Sequence, residues 1–271
     1  MPRKPSTERR LIELNTVPAV AESLRPYLAD SSCHVVAKAA GKAADERVEE
    51  LLADLVTAFE DWTAQPARRD PGCTAKLALL DALDALLHDD PAPFRTGARW
   101  VQLEPGPVPT DSAPPLRIRG AAGLVRLRTS DAVTVLAEHL ADNAQVQSAA
   151  IRALIAYGDP FGAALVRLRL AVGVDDGEVL TDCLGALLAL DPADSLELVA
   201  GRLRGRDQQA ARAAALALAE VRPEGAFALL CEFHAAALGD DRAVARTALA
   251  MLRSDEADAF LAATDPANRD A

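Results

Sequence analysis

A small side chain followed by leucine returns at a nearly constant interval along most of this chain. The pairs are Gly123-Leu124, Ala153-Leu154, Ala186-Leu187, Ala217-Leu218 and Ala248-Leu249, and their leucines are 30, 33, 31 and 31 residues apart. Two helices of ~10–15 residues with their turns fill such an interval. The interval therefore predicts an all-α chain in which antiparallel helix pairs stack in sequence order as a right-handed α-solenoid.

The composition agrees with helices and limits the possible partners. Half of the 271 residues are hydrophobic but only 4% are aromatic, as expected for closely packed Ala-Leu helices. The net charge of −11 argues against nucleic acid as the main partner. The longest apolar run, Cys183–Leu190, is too short to span a bilayer. Four scattered cysteines without a CxxC pair favour a reducing compartment. We expect a cytoplasmic monomer.

The regular interval is broken once. Between Leu83 and Leu124 it widens to 41 residues, and five of the 17 prolines lie from Pro105 to Pro115. Proline cannot continue a helix, so residues 89–115 are predicted to be a Pro-rich loop inserted into the array, with a short helix around Phe94–Trp100. The predicted organisation is an N-terminal extension or cap over 1–18, the repeat array over 19–253, and a C-terminal cap helix and tail over 254–271.

With these ~31-residue helix pairs and its Leu116-Arg117…Gly123-Leu124 pattern, the chain resembles HEAT-repeat proteins over most of residues 19–253. The similarity is to the short bacterial HEAT-like repeats that the phycobilin lyase group also has. It implies the superhelical fold and brings no activity with it. Deoxyhypusine hydroxylases of this type hold iron through His-Glu steps, which are absent here. The HEAT-like DNA glycosylases have a basic groove, which the acidic balance of this chain does not favour.

Polar side chains at the starts of three second helices are candidates for binding. The position six residues before the small residue of each pair is Lys76, Arg117 and Gln147 in the repeats beside the insertion. We expect these residues and the polar and aromatic members of the insertion to form a surface for an acidic or polar partner segment. Alternatively, the first two bridge adjacent repeats, and the aromatic side chains only seal the gap left by a missing helix. The predicted partner-binding set is Lys76, Arg117, Gln147, Arg99, Trp100, Glu104 and Asp111.

No catalytic, metal or cofactor motif stands out. Cys231 and His234 have the i, i+3 spacing of a metal pair, but two ligands do not make a site. There is no P-loop, Gly-rich dinucleotide loop, GxSxG or HExxH sequence. The sequence therefore favours a non-catalytic scaffold that presents a concave helical surface to a protein or peptide. The alternative is an enzyme or enzyme-accessory protein, lyase-like or glycosylase-like, with a site near the insertion.

Overall fold

The computed structural model describes residues 6–264, and these form sixteen α-helices and one short β-hairpin. The all-α class predicted from the sequence is confirmed. The chain divides into two compact units between residues 136 and 137, within α8. The part of the predicted C-terminal tail after residue 264 lies outside the described residues, and the domain boundaries at 18 and 253 stay predictions.

The first unit contains a regular series of helices that the Pro-rich segment interrupts. Three short 3₁₀ turns, over Glu49–Leu51, Ala67–Arg69 and Pro71–Cys73, join some of its helices. Its elements are α1 (Thr7–Thr16), α2 (Ala21–Leu28), α3 (Cys33–Asp45), α4 (Leu52–Thr63), α5 (Thr74–Ala85), α6 (Ala92–Ala98), β1 (Leu103–Glu104), β2 (Thr110–Asp111), α7 (Pro114–Arg126) and the start of α8 (Ala132–His139).

The second unit is helical throughout its described part. After the end of α8, its helices are α9 (Ala144–Tyr157), α10 (Gly162–Val172), α11 (Gly177–Leu190), α12 (Pro192–Leu203), α13 (Gln208–Val221), α14 (Ala226–Ala236), α15 (Gly239–Met251) and α16 (Asp255–Ala263). Asn143, Asp176, Asp207 and Ser254 cap α9, α11, α13 and α16 by accepting backbone N–H bonds with their side chains.

The second helix of each pair forms the packed row predicted by the small-Leu repeat. In the first unit α3 packs on α5 and α5 on α7; in the second α9, α11, α13 and α15 pack in that order. The leucines of the small-Leu pairs, with Leu83 of Ala82-Leu83 included, are here called the marker leucines. All of them are fully buried: Leu83, Leu124, Leu154, Leu187, Leu218 and Leu249. This is the HEAT-like stacking that the sequence predicts, because the small residue lets adjacent helix backbones approach while the leucine fills the layer.

The helix ends follow the same repeat. Four residues after the marker leucine, the backbone turns left-handed at Leu87, Arg128, Gly158, Arg222 and Arg253, with φ between 48° and 69°. Such a residue closes a helix by directing its N–H back to the last turn. After Leu187 the equivalent residue is Asp191, whose φ is −149°. Pro192 follows Asp191, and a residue before proline is held in the extended region.

The insertion contains regular secondary structure. Its first part is α6, close to the predicted short helix at 94–100. Its second part is a hairpin, unforeseen in the sequence analysis, that pairs Leu103 with Asp111 and Glu104 with Thr110. Prolines 105, 107 and 109 lie in or beside the exposed turn of this hairpin. Proline is tolerated there because turn and edge positions need no N–H donor.

An ion pair from α6 to the residue before α8 makes the first unit sensitive to acid. Arg95 donates from Nε and Nη2 to the carboxylate of Asp131 at 2.7 and 3.1 Å. This side-chain hydrogen bonding lowers the pKa of Asp131 from 3.8 to about 2. The stabilising contribution should therefore be complete above the unfolded pKa of about 4 and disappear as the pH falls through about 2.

We expect Asp131→Asn to reduce the free energy of unfolding at neutral pH. The difference from the wild type should shrink as the pH falls from about 4 to about 2, because protonated Asp131 no longer offers a charge to Arg95. Urea unfolding across this pH range measures it. A difference that stays constant down to about pH 2 would contradict the assignment.

Candidate functional site

The most deeply buried charges of the described chain lie at the start of α5. The side chains of Lys76 and Asp70 have no exposed surface. Lys76 Nζ donates to Asp70 Oδ2 at 2.8 Å and to Gln102 Oε1 at 3.0 Å. The other carboxylate oxygen accepts from the N–H of Ala75 at 2.8 Å, at the electropositive end of α5. The ammonium is therefore enclosed inside the protein, where it bonds to Asp70 and Gln102.

Gln102 ties the insertion to this ion pair. Its Nε2 donates to the backbone oxygen of Asp70 at 2.7 Å, while its Oε1 accepts from Lys76. Glu104 accepts from the N–H of Gly72, and this hydrogen bond lowers the pKa of Glu104. The hairpin is thus fixed to the turn before α5 by the buried contacts of Gln102 and by an exposed contact of Glu104.

A second polar cluster fixes the other end of the insertion to α7. Arg117 donates from Nη1 to the backbone oxygen of Trp100 at 2.9 Å and to Asp111 Oδ2 at 2.6 Å. Burial tends to raise the pKa of Asp111, but hydrogen bonds from the N–H groups of Ala113 and Gln102 and from Arg117 outweigh it, and the pKa is lowered. The carboxylate is therefore held in its charged form.

The structure places the predicted binding residues mainly inside the first unit. Lys76 and Arg117 are buried; Lys76 bonds to Asp70 in the turn before its own helix, and Arg117 bonds to the backbone oxygen of Trp100. Trp100 is half-buried, and the Lys76 ammonium lies 5.6 Å from its ring centroid. Glu104 and Asp111 are half-buried, and only Arg99 is exposed. Partner binding by this set stays a prediction.

The cysteines are not activated nucleophiles. Burial raises the pKa of Cys73 to about 11 and that of Cys183 to about 12. Burial also raises the pKa of Cys33 and Cys231. Thiols in this state are protonated and poorly nucleophilic at neutral pH. Near Cys231, the buried ring of His234 packs edge-on against Phe260, with the ring centroids 5.3 Å apart.

The second unit contains an apolar groove, here called groove A, between the end of α8 and α10. Its volume is about 420 Å³. Leu168 and Val172 on α10 are 61% and 76% exposed. Exposed aliphatic side chains beside a concave surface are a common feature of binding sites. Groove A is lined by Ala137, Leu140, Ala141, Gln147, Leu165, Leu168, Arg169 and Val172.

The polar groups of groove A already bond to one another. Gln147 Oε1 accepts from Arg169 Nε at 3.3 Å and Nη2 at 3.1 Å. Arg169 Nη1 donates to the backbone oxygen of Gly173, and Gln147 Nε2 donates to that of Asp142. These bonds lower the cost of covering the groove with an apolar segment, because each buried donor or acceptor left without a partner costs about 1–3 kcal/mol.

Gln147, predicted from the sequence as a binding residue, lies in groove A, whereas the aliphatic wall of the groove was not foreseen. Only Gly162 and Val166 of α10 are buried. The available signal was the segment 165–172, LVRLRLAV, which contains more aliphatic residues than one stripe can bury. A helix with apolar residues on more than one side needs a second surface to cover them.

A groove with different chemistry, here called groove B, recurs 64 residues later. It has a volume of about 480 Å³ and lies among the ends of α12 and α14 and the starts of α13 and α15. Sixty-four residues is also the distance from Leu154 to Leu218, so the two grooves occupy equivalent repeat positions. The equivalent lining pairs are Leu140 and Arg204, Ala141 and Gly205, Gln147 and Ala211, Leu168 and Glu232, Arg169 and Phe233, Val172 and Ala236.

The exchange of residues between the two grooves is chemically specific. Where groove A has Leu140 and Leu168, groove B has Arg204 and Glu232, which form an ion pair of 2.9 Å. Where groove A has the hydrogen-bonded Gln147 and Arg169, groove B has Ala211 and Phe233. At equivalent backbone positions, groove A thus has two leucines and groove B has an ion pair.

Residues 6–264 contain no group of three or more His, Cys, Asp or Glu side chains placed to hold a metal ion. None of the helices in that range is both long and apolar enough to cross a membrane.

No protein-family model matches the sequence, and no curated protein is significantly similar to it. Among solved structures, a chain of the complex of CpcE and CpcF of phycocyanin lyase from Nostoc sp. is similar, with 20% identity and a TM-score of 0.48. The similarity covers 89% of this chain and 91% of that one.

Proposed function

We propose that this protein is a non-catalytic binding protein and that a partner protein inserts an apolar segment into groove A. The proposal is supported mainly by one observation, the exposure of Leu168 and Val172 beside a groove of about 420 Å³. Covering aliphatic surface contributes about 25 cal/mol per Å², and at the polar end of the groove Gln147 and Arg169 already bond to each other.

Groove B strengthens the assignment by contrast. The same position in the array carries Glu232 there, so the fold does not require a leucine at position 168. A side chain that the fold does not need and that solvent reaches is a candidate for contact with another molecule.

An enzyme-accessory role is one form of this proposal. An accessory subunit acts by binding, and a surface such as groove A would serve it as well as a scaffold. The two forms differ in the partner: an accessory role requires that a purified partner enzyme change its rate when this protein is added, whereas a scaffold leaves the rate unchanged. The residues of the insertion are a separate predicted surface, which groove A does not include.

Leu168→Glu should abolish partner retention while leaving the protein folded. Loss of an interface anchor costs about 2 kcal/mol or more, or about thirtyfold in Kd. The measurement is a pull-down with the tagged full chain, scored by the proteins recovered in stoichiometric amount. Ile12→Glu is the matched control, because Ile12 is 60% exposed and lies in the first unit.

The proposal requires a partner that the wild type and Ile12→Glu retain and Leu168→Glu loses. Circular dichroism and urea unfolding of the three proteins establish that the loss is not caused by unfolding. Equal retention by all three proteins would exclude groove A as the docking site.

A further inference from the structure

We propose that the segment that occupies groove A is a basic amphipathic helix of the partner protein. This inference rests on the proposed function, and adds the charge and conformation of the partner segment. It is drawn from the charge distribution of the chain and from the shape of α10.

Nearly all of the net negative charge belongs to the unit that contains groove A. Residues 137–271 hold 21 Asp and Glu against 12 Lys and Arg, whereas residues 1–136 hold 19 against 17. The potential around the second unit therefore favours cations and disfavours anions. A partner that docks there gains in association rate and in selectivity by carrying the opposite charge.

In sequence, carboxylates also flank the residues that line groove A on α8 and on α10. On the α8 side Glu138 lies between lining residues and Asp142 directly follows Ala141. On the α10 side Asp175 and Glu178 come three and six residues after Val172, and both are exposed. The single cation in the lining, Arg169, is engaged by Gln147 and by the backbone oxygen of Gly173. Arg167, which lies between two lining residues in sequence, is paired with Asp191 at 2.9 Å. The charged residues that flank the apolar lining in sequence are therefore mainly acidic.

We infer the helical conformation of the partner segment from the α10 side chains that line groove A. Leu165, Leu168 and Val172 have the spacing i, i+3, i+7, which forms one ridge along a helix. A ridge of this kind packs against the groove of another helix whose apolar residues have the same period. Strand addition lacks a template, since the described part of the second unit, residues 137–264, contains no β-strand.

A second copy of this chain is a poorer occupant. Each copy has a net charge of −11, and a self-docked pair would bring another molecule of the same sign to this acidic unit. Like charges across an interface weaken association. A partner segment with Lys or Arg beside its apolar stripe would instead be attracted to this acidic unit.

The test measures binding of two labelled helical peptides to the full-length protein by fluorescence anisotropy. Both have about 18 residues, or five turns, and leucine at i, i+3 or i+4, and i+7; one has lysine at its other positions and the other has glutamate. We expect the lysine peptide to bind at least about tenfold more tightly at about 20 mM salt, with a smaller ratio at about 300 mM because salt screens exposed charges.

Two variants locate the effect. Asp175→Asn/Glu178→Gln should weaken binding of the lysine peptide about threefold or more at low salt. The control Glu49→Gln/Glu50→Gln removes two exposed charges from the first unit and should change it little. Leu168→Gln, which leaves the charge unchanged, should weaken binding about tenfold.

The inference is overturned if the glutamate peptide binds as tightly as the lysine peptide, if neither peptide binds, or if the two double variants behave alike. These outcomes differ from failure of the proposed function. If Leu168→Glu still loses the natural partner in the pull-down, groove A remains the docking site and only the basic character of the occupant is rejected.

Discussion

Gly120→Ala should destabilise the first unit by about 3 kcal/mol or more, at the upper end of what overpacking costs. An alanine Cβ at position 120 would lie 2.6 Å from the backbone oxygen of Phe94, 2.7 Å from Ala98 Cα, and closer still to Ala98 N. All three atoms belong to the backbone of α6, so no side-chain rotation relieves the clash. The short helix of the insertion would have to move away from α7.

Urea unfolding monitored by circular dichroism measures this effect. Gly41→Ala in α3 is the matched control, because a Cβ at position 41 meets nothing within 4 Å. That change should stabilise the protein by about 0.5–1 kcal/mol through helix propensity. If Gly120→Ala lay within about 0.5 kcal/mol of the wild type, the close approach of α6 and α7 would be wrong.

Lys76→Met should cost about 3–5 kcal/mol, the usual effect of removing one partner of a buried ion pair. The Asp70 carboxylate has no exposed surface, so it would stay buried without its cation. Gln102 would also lose the donor to its Oε1, and the hairpin would be held less firmly. The expected result is a lower midpoint of urea unfolding.

The double variant Lys76→Met/Asp70→Asn separates burial of a charge from loss of packing. An asparagine at position 70 keeps an oxygen that can accept from the N–H of Ala75, but carries no charge. We expect the double variant to be more stable than Lys76→Met alone, with a coupling of about 1–3 kcal/mol. If the second substitution destabilised the protein further, the buried ion-pair account would fail.

The helix-pair repeat could be predicted from the sequence because each feature that marks it lies within a short segment of the chain. A small residue followed by leucine marks a helix that must be approached closely, and the interval of about 31 residues has room for two helices. The helix ends also recur at this interval, because a left-handed residue follows four positions after the leucine in every repeat but one. Asp191 departs from it for a local reason, the proline that follows.

The insertion was readable only in part. Its prolines exclude a regular helix pair, but the contact of Lys76 with Gln102 joins residues 26 positions apart. No pattern within either segment identifies the other as its partner. A lysine at the start of a helix has the same appearance in sequence whether it faces solvent or is buried over Asp70.

Groove A was the least readable feature. Leu168 and Leu170 differ by two positions on α10, yet only Leu170 packs against the buried core of the second unit. Which aliphatic side chain is covered depends on how the neighbouring helices diverge, and that is a tertiary property. Sequence composition shows an excess of such side chains without showing where it is exposed.

The most direct test of the binding account is photo-crosslinking from two equivalent positions. A photoreactive amino acid is placed at position 168 in one protein and at position 232 in another, and each is irradiated with the partner retained in the pull-down. The two sites are 64 residues apart and have the same place in the repeat. The account predicts a specific crosslink from position 168 and little from position 232; equal yields from both, or none from position 168, would contradict it.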